Sequence, residues 1–127
     1  GELTTSAFPR QDLEGGERFV SVSRSDTMSV DTEVATVNEQ AARADGARFI
    51  REEAWSALLN CGEIQLAKDD EELAPFSVTE QPIPNTNESH CGIRNISEKR
   101  SRGYTNQIRT ILLKLVQNVQ LLEDRFR

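Results

Sequence analysis

Apolar residues recur at alternating spacings of three and four in two stretches of the chain, and polar residues dominate elsewhere. The first stretch opens at Asp31-Thr32. Asp31 can accept a hydrogen bond from an early helical amide, and Glu33 suits the positive end of a helix. Val34, Val37, Ala41 and Ala44 follow. After Asp45-Gly46 the alternation resumes through Ala47, Ile50, Ala54, Ala57 and Cys61, slipped by one step as in a coiled-coil stammer. The pattern predicts one long distorted helix, or two helices joined at Asp45-Gly46, with Gly62 as the left-handed residue that ends it. Phe49, Trp55, Leu58 and Leu59 widen its apolar surface beyond a narrow seam.

The second stretch is Ile108, Leu112, Leu115, Val119, Leu122 and Phe126, spaced as a heptad seam over nearly three heptads. It predicts a helix over about residues 104–126. Ile111, Leu113, Val116 and Leu121 make that helix so apolar that at least two of its sides need cover.

The remaining segments read as irregular. Residues 1–30 contain Pro9, Gly15-Gly16 and a Ser-rich run at 21–29, which oppose a helix. Within them Phe19-Val20-Ser21-Val22-Ser23 alternates like a short strand, which is stable only against another edge. Residues 63–103 carry an acidic run, Asp69 to Glu72, and three prolines that keep the backbone extended. A structureless stretch of that length fits a linker or a strap better than a loop inside a domain. The expected fold class is therefore mainly α. Two helical segments, about 31–61 and a coiled-coil-like 104–126, carry an extended N-terminal arm and a long irregular linker. By segment these are an arm (1–30), a helical segment (31–62), a linker (63–103) and a C-terminal amphipathic helix (104–127).

Composition sharpens this picture. Hydrophobic residues make up 36% of the chain and aromatic residues 6%. A chain of this size must bury about two thirds of its unfolded surface to be stable alone. So thin a core predicts that part of the fold comes from protein partners or from self-association. Charge is unevenly placed: residues 1–93 hold 18 acids and 7 bases, a net of −11, and residues 94–127 hold 3 acids and 8 bases, a net of +5. The acidic part would repel phosphates, which argues against nucleic acid as a partner. The basic segment Arg94, Lys99, Arg100 and Arg102 reads as a solvated or salt-bridged loop that could meet the acids at 69–72. No apolar run reaches the ~18 residues of a membrane span. Gly1 to Thr5 fits only the loose N-myristoylation pattern, weakened by Glu2, so a membrane partner is not expected.

Candidate chemistry is sparse. His90, the only histidine, adjoins Cys91 in a polar stretch, whereas a Cys-His pair needs side chains that converge from separate elements. Cys61, His90 and Cys91 lack the paired spacing and the fourth ligand of a structural zinc site. The acids at 69–72 lack the alternate oxygens and central glycine of a calcium loop. No catalytic, cofactor-binding or metal residue is assigned. Asn87-Glu88-Ser89 and Asn95-Ile96-Ser97 fit the N-glycosylation pattern.

The expected function is a non-enzymatic structural or scaffold subunit that binds other protein chains in a larger assembly such as a filament, a virion or a cytoskeletal complex. Its expected interface residues are Phe49, Trp55, Leu58, Ile108, Leu112, Leu115, Val119, Leu122 and Phe126. Two alternatives stay open. One is a coiled-coil adaptor regulated by phosphorylation in the Ser-rich run. The other is a secreted or ectodomain fragment with glycans and a Cys61–Cys91 disulfide. Free thiols in an intracellular or particle setting are favoured over the secreted one.

Overall fold

Several short runs in which apolar and polar residues alternate form strands here, and among the described residues one helix persists beyond two turns. The computed structural model describes residues 3–25, 28–29, 31–36 and 55–125. Its strands are β1 (Val20–Ser23), β2 (Trp55–Leu58), β3 (Phe76–Glu80), β4 (His90–Asn95) and β5 (Asn118–Leu121). Residues 31–36 are helical (α1). The other α-helices are α2 (Cys61–Leu66), α3 (Arg102–Leu115) and α4 (Leu122–Arg125). Two 3-10 turns, Thr5–Ala7 and Arg10–Leu13, precede β1.

The strands form two antiparallel sheets: a three-stranded sheet in the order β1-β4-β3, and a ribbon of β2 and β5. Register sets the core. Val20 pairs with Ile93 and Ile93 with Val78, so three apolar side chains cross one face of the sheet in a row. Val20 and Ile93 join Phe76 on β3, Ile64 on α2, and Tyr104, Ile108 and Leu112 on α3 in one buried cluster. The spacing of four between Tyr104, Ile108 and Leu112 keeps them on one side of α3. The Ser101 side chain caps that helix by accepting from the Tyr104 amide.

The N-terminal residues complete the core. Phe8 and Leu13 are buried in the same cluster. Arg109 on α3 holds them there: its Nε donates to the Phe8 carbonyl at 2.7 Å and its Nη2 to the Thr5 carbonyl at 2.9 Å. The expected arm is therefore laid along its own chain. On the other face of the sheet the Phe19 ring covers Gly92, where a Cβ would stand 2.6 Å from the ring. A buried amide ties the loop before β4 to α1, for Asn87 Nδ2 donates to Ser23 Oγ at 3.0 Å and to Thr36 Oγ1 at 3.1 Å.

The mainly α, coiled-coil-like expectation is corrected on three counts. Helix α3 stops at Leu115, and Asn118–Leu121 becomes β5 because β2 offers it a backbone ladder, beginning with Gln117 N–H to the Leu58 carbonyl at 2.9 Å. A helix over 104–126 would leave that edge unpaired, so this is not a coiled-coil seam. The expected helix over 31–61 is a strand at Trp55–Leu58, and Cys61 and Gly62 lie inside the separate helix α2. Residues 37–54, including Phe49 and the Asp45-Gly46 break, lie outside the described residues, as does Phe126. The expected irregular linker holds α2, β3 and β4.

The acidic run is built into this fold. Asp69 is buried, and its Oδ1 accepts from the amides of Glu71 (2.8 Å) and Leu73 (3.0 Å). Its Oδ2 accepts from the Tyr104 hydroxyl at 2.7 Å. Lys99 closes the cluster, 2.8 Å from Glu71 and over the Tyr104 ring. The Leu73 amide, then the Tyr104 hydroxyl, hold the Asp69 carboxyl below its ordinary value near 3.8. Burial, and then the hydrogen bond to Asp69, push the Tyr104 phenol up, so it remains a donor at neutral pH. A carboxyl whose folded pKa is lowered stabilises above its unfolded pKa, and that contribution is lost as pH falls through the folded value. Asp12 and Glu33 are raised by burial and act in the opposite direction. Urea midpoints should therefore fall more steeply below pH 4 in the wild type than in Asp69→Asn. Tyr104→Phe should cost about 1–2 kcal/mol at pH 7 in the same assay.

Candidate interaction surface and the adjoining cleft

The ribbon presents two unlike faces. Residues directly opposite in an antiparallel pair share a face. Trp55 opposes Leu121 and Ala57 opposes Val119, so four apolar residues share one side. Ser56 opposes Gln120 and Leu58 opposes Asn118 on the other. The apolar side is open: Trp55 is 55% exposed, Ala57 is exposed, and Val119 and Leu121 are half-buried. None of the four belongs to the buried core or packs against it.

The polar side is held by α4. Leu122 is buried, and Arg125 reaches back across the ribbon. Its Nε donates to Ser56 Oγ at 2.6 Å. Its Nη2 donates to the carbonyls of Ser56 and Asn118 and to Asn118 Oδ1 at 2.9 Å.

A cleft of about 620 Å³ lies between the ribbon, the start of α2 and one end of the three-stranded sheet. Its apolar lining includes Val22, Leu58, Ile64, Val78 and Leu122. Arg24, Glu33, Glu80 and Arg125 contribute charged groups, and both cysteines line it. The thiols are free, with Cys61 exposed and Cys91 buried. Burial pushes the Cys91 thiol up, which makes it a poor nucleophile at neutral pH.

His90 and Cys91 are successive residues of β4 and so point to opposite faces. His90 Nδ1 lies 2.7 Å from the Gln81 carbonyl, which can only accept, so Nδ1 carries the proton. Among the described residues no three His, Cys, Asp or Glu side chains gather as a metal site. Neither glycosylation triplet offers a free amide: Asn87 and Asn95 are both buried, and Asn95 Nδ2 donates to the carbonyls of Leu13 and Lys99. The basic segment is bonded internally as well. Arg94 donates to the Gly16 carbonyl at 2.6 Å, and Arg100 donates to the carbonyls of Ser97 and Lys99. Among the described residues no helix is long and apolar enough to cross a membrane.

Seven of the nine expected interface residues are described, Phe49 and Phe126 lying outside, and they fall into three groups. Ile108 and Leu112 are fully buried in the chain's own core, with Leu115 packed against it. Leu58 and Leu122 line the cleft, whose lining also includes Trp55. Trp55 and Val119 meet on the open side of the ribbon, together with Ala57 and Leu121, which the helical reading placed elsewhere. Arg125 had no signal in a reading that ran one helix to residue 126. The alternation Asn118-Val119-Gln120-Leu121 did carry a signal for the ribbon. No protein-family model matches the chain, and no curated protein or solved structure matches it at a significant level.

Proposed function

We propose that the chain is a non-enzymatic structural or scaffold subunit that binds another protein chain through the open side of the β2–β5 ribbon. One observation carries this reading: the only Trp of the chain is 55% exposed and sits among Ala57, Val119 and Leu121 on a face that covers no part of the core formed by the described residues. Trp is enriched among the residues that dominate binding energy at protein interfaces. A two-stranded ribbon of four-residue strands is marginal in water by itself, and a docked partner would supply the missing cover.

The single Trp also provides the readout. Light scattering and tryptophan emission should be followed together over a concentration series, and the co-purifying chains compared for wild type and Trp55→Ser. The expected result is a species above 14.3 kDa, or a specific co-purifying chain, with emission shifted to the blue. Trp55→Ser should weaken that association by at least about 2 kcal/mol while leaving the circular dichroism unchanged. Identical mass and identical co-purifying chains in wild type and variant would overturn the reading.

A further inference from the structure

The geometry points to a second binding site: the cleft beside the ribbon takes an amphipathic anion, an apolar chain ending in a carboxylate, with Arg125 meeting the head group. The cleft shares Trp55 and Ala57 with the open side of the ribbon, but the proposal does not rest on that side being an interface, because Arg125 acts from the opposite face.

Arg125 is the reason for an anion. It lines the cleft and is partly buried, and burial alone lowers the proton affinity of its guanidinium. All its hydrogen bonds to described residues run to neutral oxygens, on Ser56 and Asn118. Among the described residues no carboxylate lies within ion-pair distance of it. The other charges of the cleft already have partners. Arg24 and Glu80 stand 4.0 Å apart, and the Glu33 carboxyl is raised by burial and bonds Ser23. A cation drawn partly out of water without a counter-charge is unfavourable, and a ligand carboxylate would supply that charge through strong, charge-assisted bonds. Nε and Nη2 are used by the ribbon, whereas Nη1 makes no hydrogen bond to a described residue and is left to meet the ligand.

The rest of the cleft is the reason for an apolar chain. Val22, Ile64, Val78 and Leu122 come from four different elements and line one space. A volume of about 620 Å³ falls within the range of small-molecule sites, which join a mostly apolar lining to a few placed polar groups. Cys61 stands exposed on the lining and marks the site chemically.

Dodecanoate, used below its micelle-forming concentration, is the probe, and dodecanol is its neutral counterpart. Calorimetric titration of the full chain should show one dodecanoate per chain, with dodecanol about tenfold weaker or more, as loss of a charge-assisted contact implies. Arg125→Gln should bring dodecanoate down to the affinity of dodecanol. Because that variant also loosens α4, a second measurement uses the wild type alone: saturating dodecanoate should slow iodoacetamide alkylation of Cys61 several-fold. The absence of binding, equal affinity for dodecanol, or binding that leaves Cys61 alkylation unchanged would each overturn the proposal.

Discussion

Leu112→Ala lowers the stability of the chain by about 3–5 kcal/mol, the range for leucines removed from a filled core. Leu112 is fully buried and belongs to the cluster that joins α3 to the three-stranded sheet. Its neighbours are held in place from several directions: Ile93 by two strands, Ile108 by the helix backbone, and Phe8 through the bond between its carbonyl and Arg109. They cannot move inward to fill the space, so the cavity term should be close to its upper end. Whole domains are stable by only about 5–15 kcal/mol, and the core here is small. The loss should appear in urea denaturation as a lowered midpoint with an unchanged slope. A cost below about 1 kcal/mol would mean that α3 does not pack as described.

Asn95→Leu should be the next most damaging single change. Asn95 is a buried side chain that uses both ends of its amide. Nδ2 donates to the Leu13 carbonyl at 2.9 Å and the Lys99 carbonyl at 3.2 Å, and Oδ1 accepts from the Ser97 amide at 2.9 Å. Leucine fills a similar volume but leaves two backbone groups, the Leu13 carbonyl and the Ser97 amide, without that partner, while the Lys99 carbonyl keeps Arg100 and the Ser97 hydroxyl. Each such group costs about 1–3 kcal/mol if it stays buried, and some will find water, so a total of about 2–4 kcal/mol is expected. The same bonds set an outcome for glycosylation. A glycan on Asn95 Nδ2 would leave one N–H for two carbonyls and would need room that this buried site lacks, so folded chain from a glycosylating host should carry none there. Intact mass settles this, and a folded, glycosylated species would contradict the burial of that amide.

The sequence made some of this legible through local pattern. The alternation at 19–23 is the strand β1, and it does pair with another edge. The apolar face of the first half of the 104–126 pattern is the core face of α3. What defeated the reading was a coincidence of periods. Leu115, Val119 and Leu122 satisfy a heptad, but Asn118-Val119-Gln120-Leu121 satisfies a period of two equally well. The choice between them is made by Trp55–Leu58, some sixty residues earlier, which offers a ladder that no local window contains. The acidic run was illegible for a related reason. Nothing within residues 69–72 says that Tyr104 will donate to Asp69, and without that partner the run reads as solvated. Of the residues proposed to bind, Trp55 stood out by type alone, whereas Arg125 enters the proposal only because a four-residue helix turns it back on the ribbon.

The order of strands has a consequence for how the chain acquires its shape. β1 waits for β4, β2 waits for β5, and Arg109 closes on Phe8 across 101 positions of sequence. Few of the decisive contacts are local, and loop closure must be met before any of them forms. Pairings between residues so far apart in sequence are slow to form. The N-terminal strand therefore spends the early part of folding as an unpaired edge, with nothing to receive it until residues 90–115 have been made and α3 has formed. During that interval the chain is most open to pairing with a neighbour's strand instead of its own. Crowding of newly made chains, rather than the strength of the finished core, would then set the yield of correctly folded molecules.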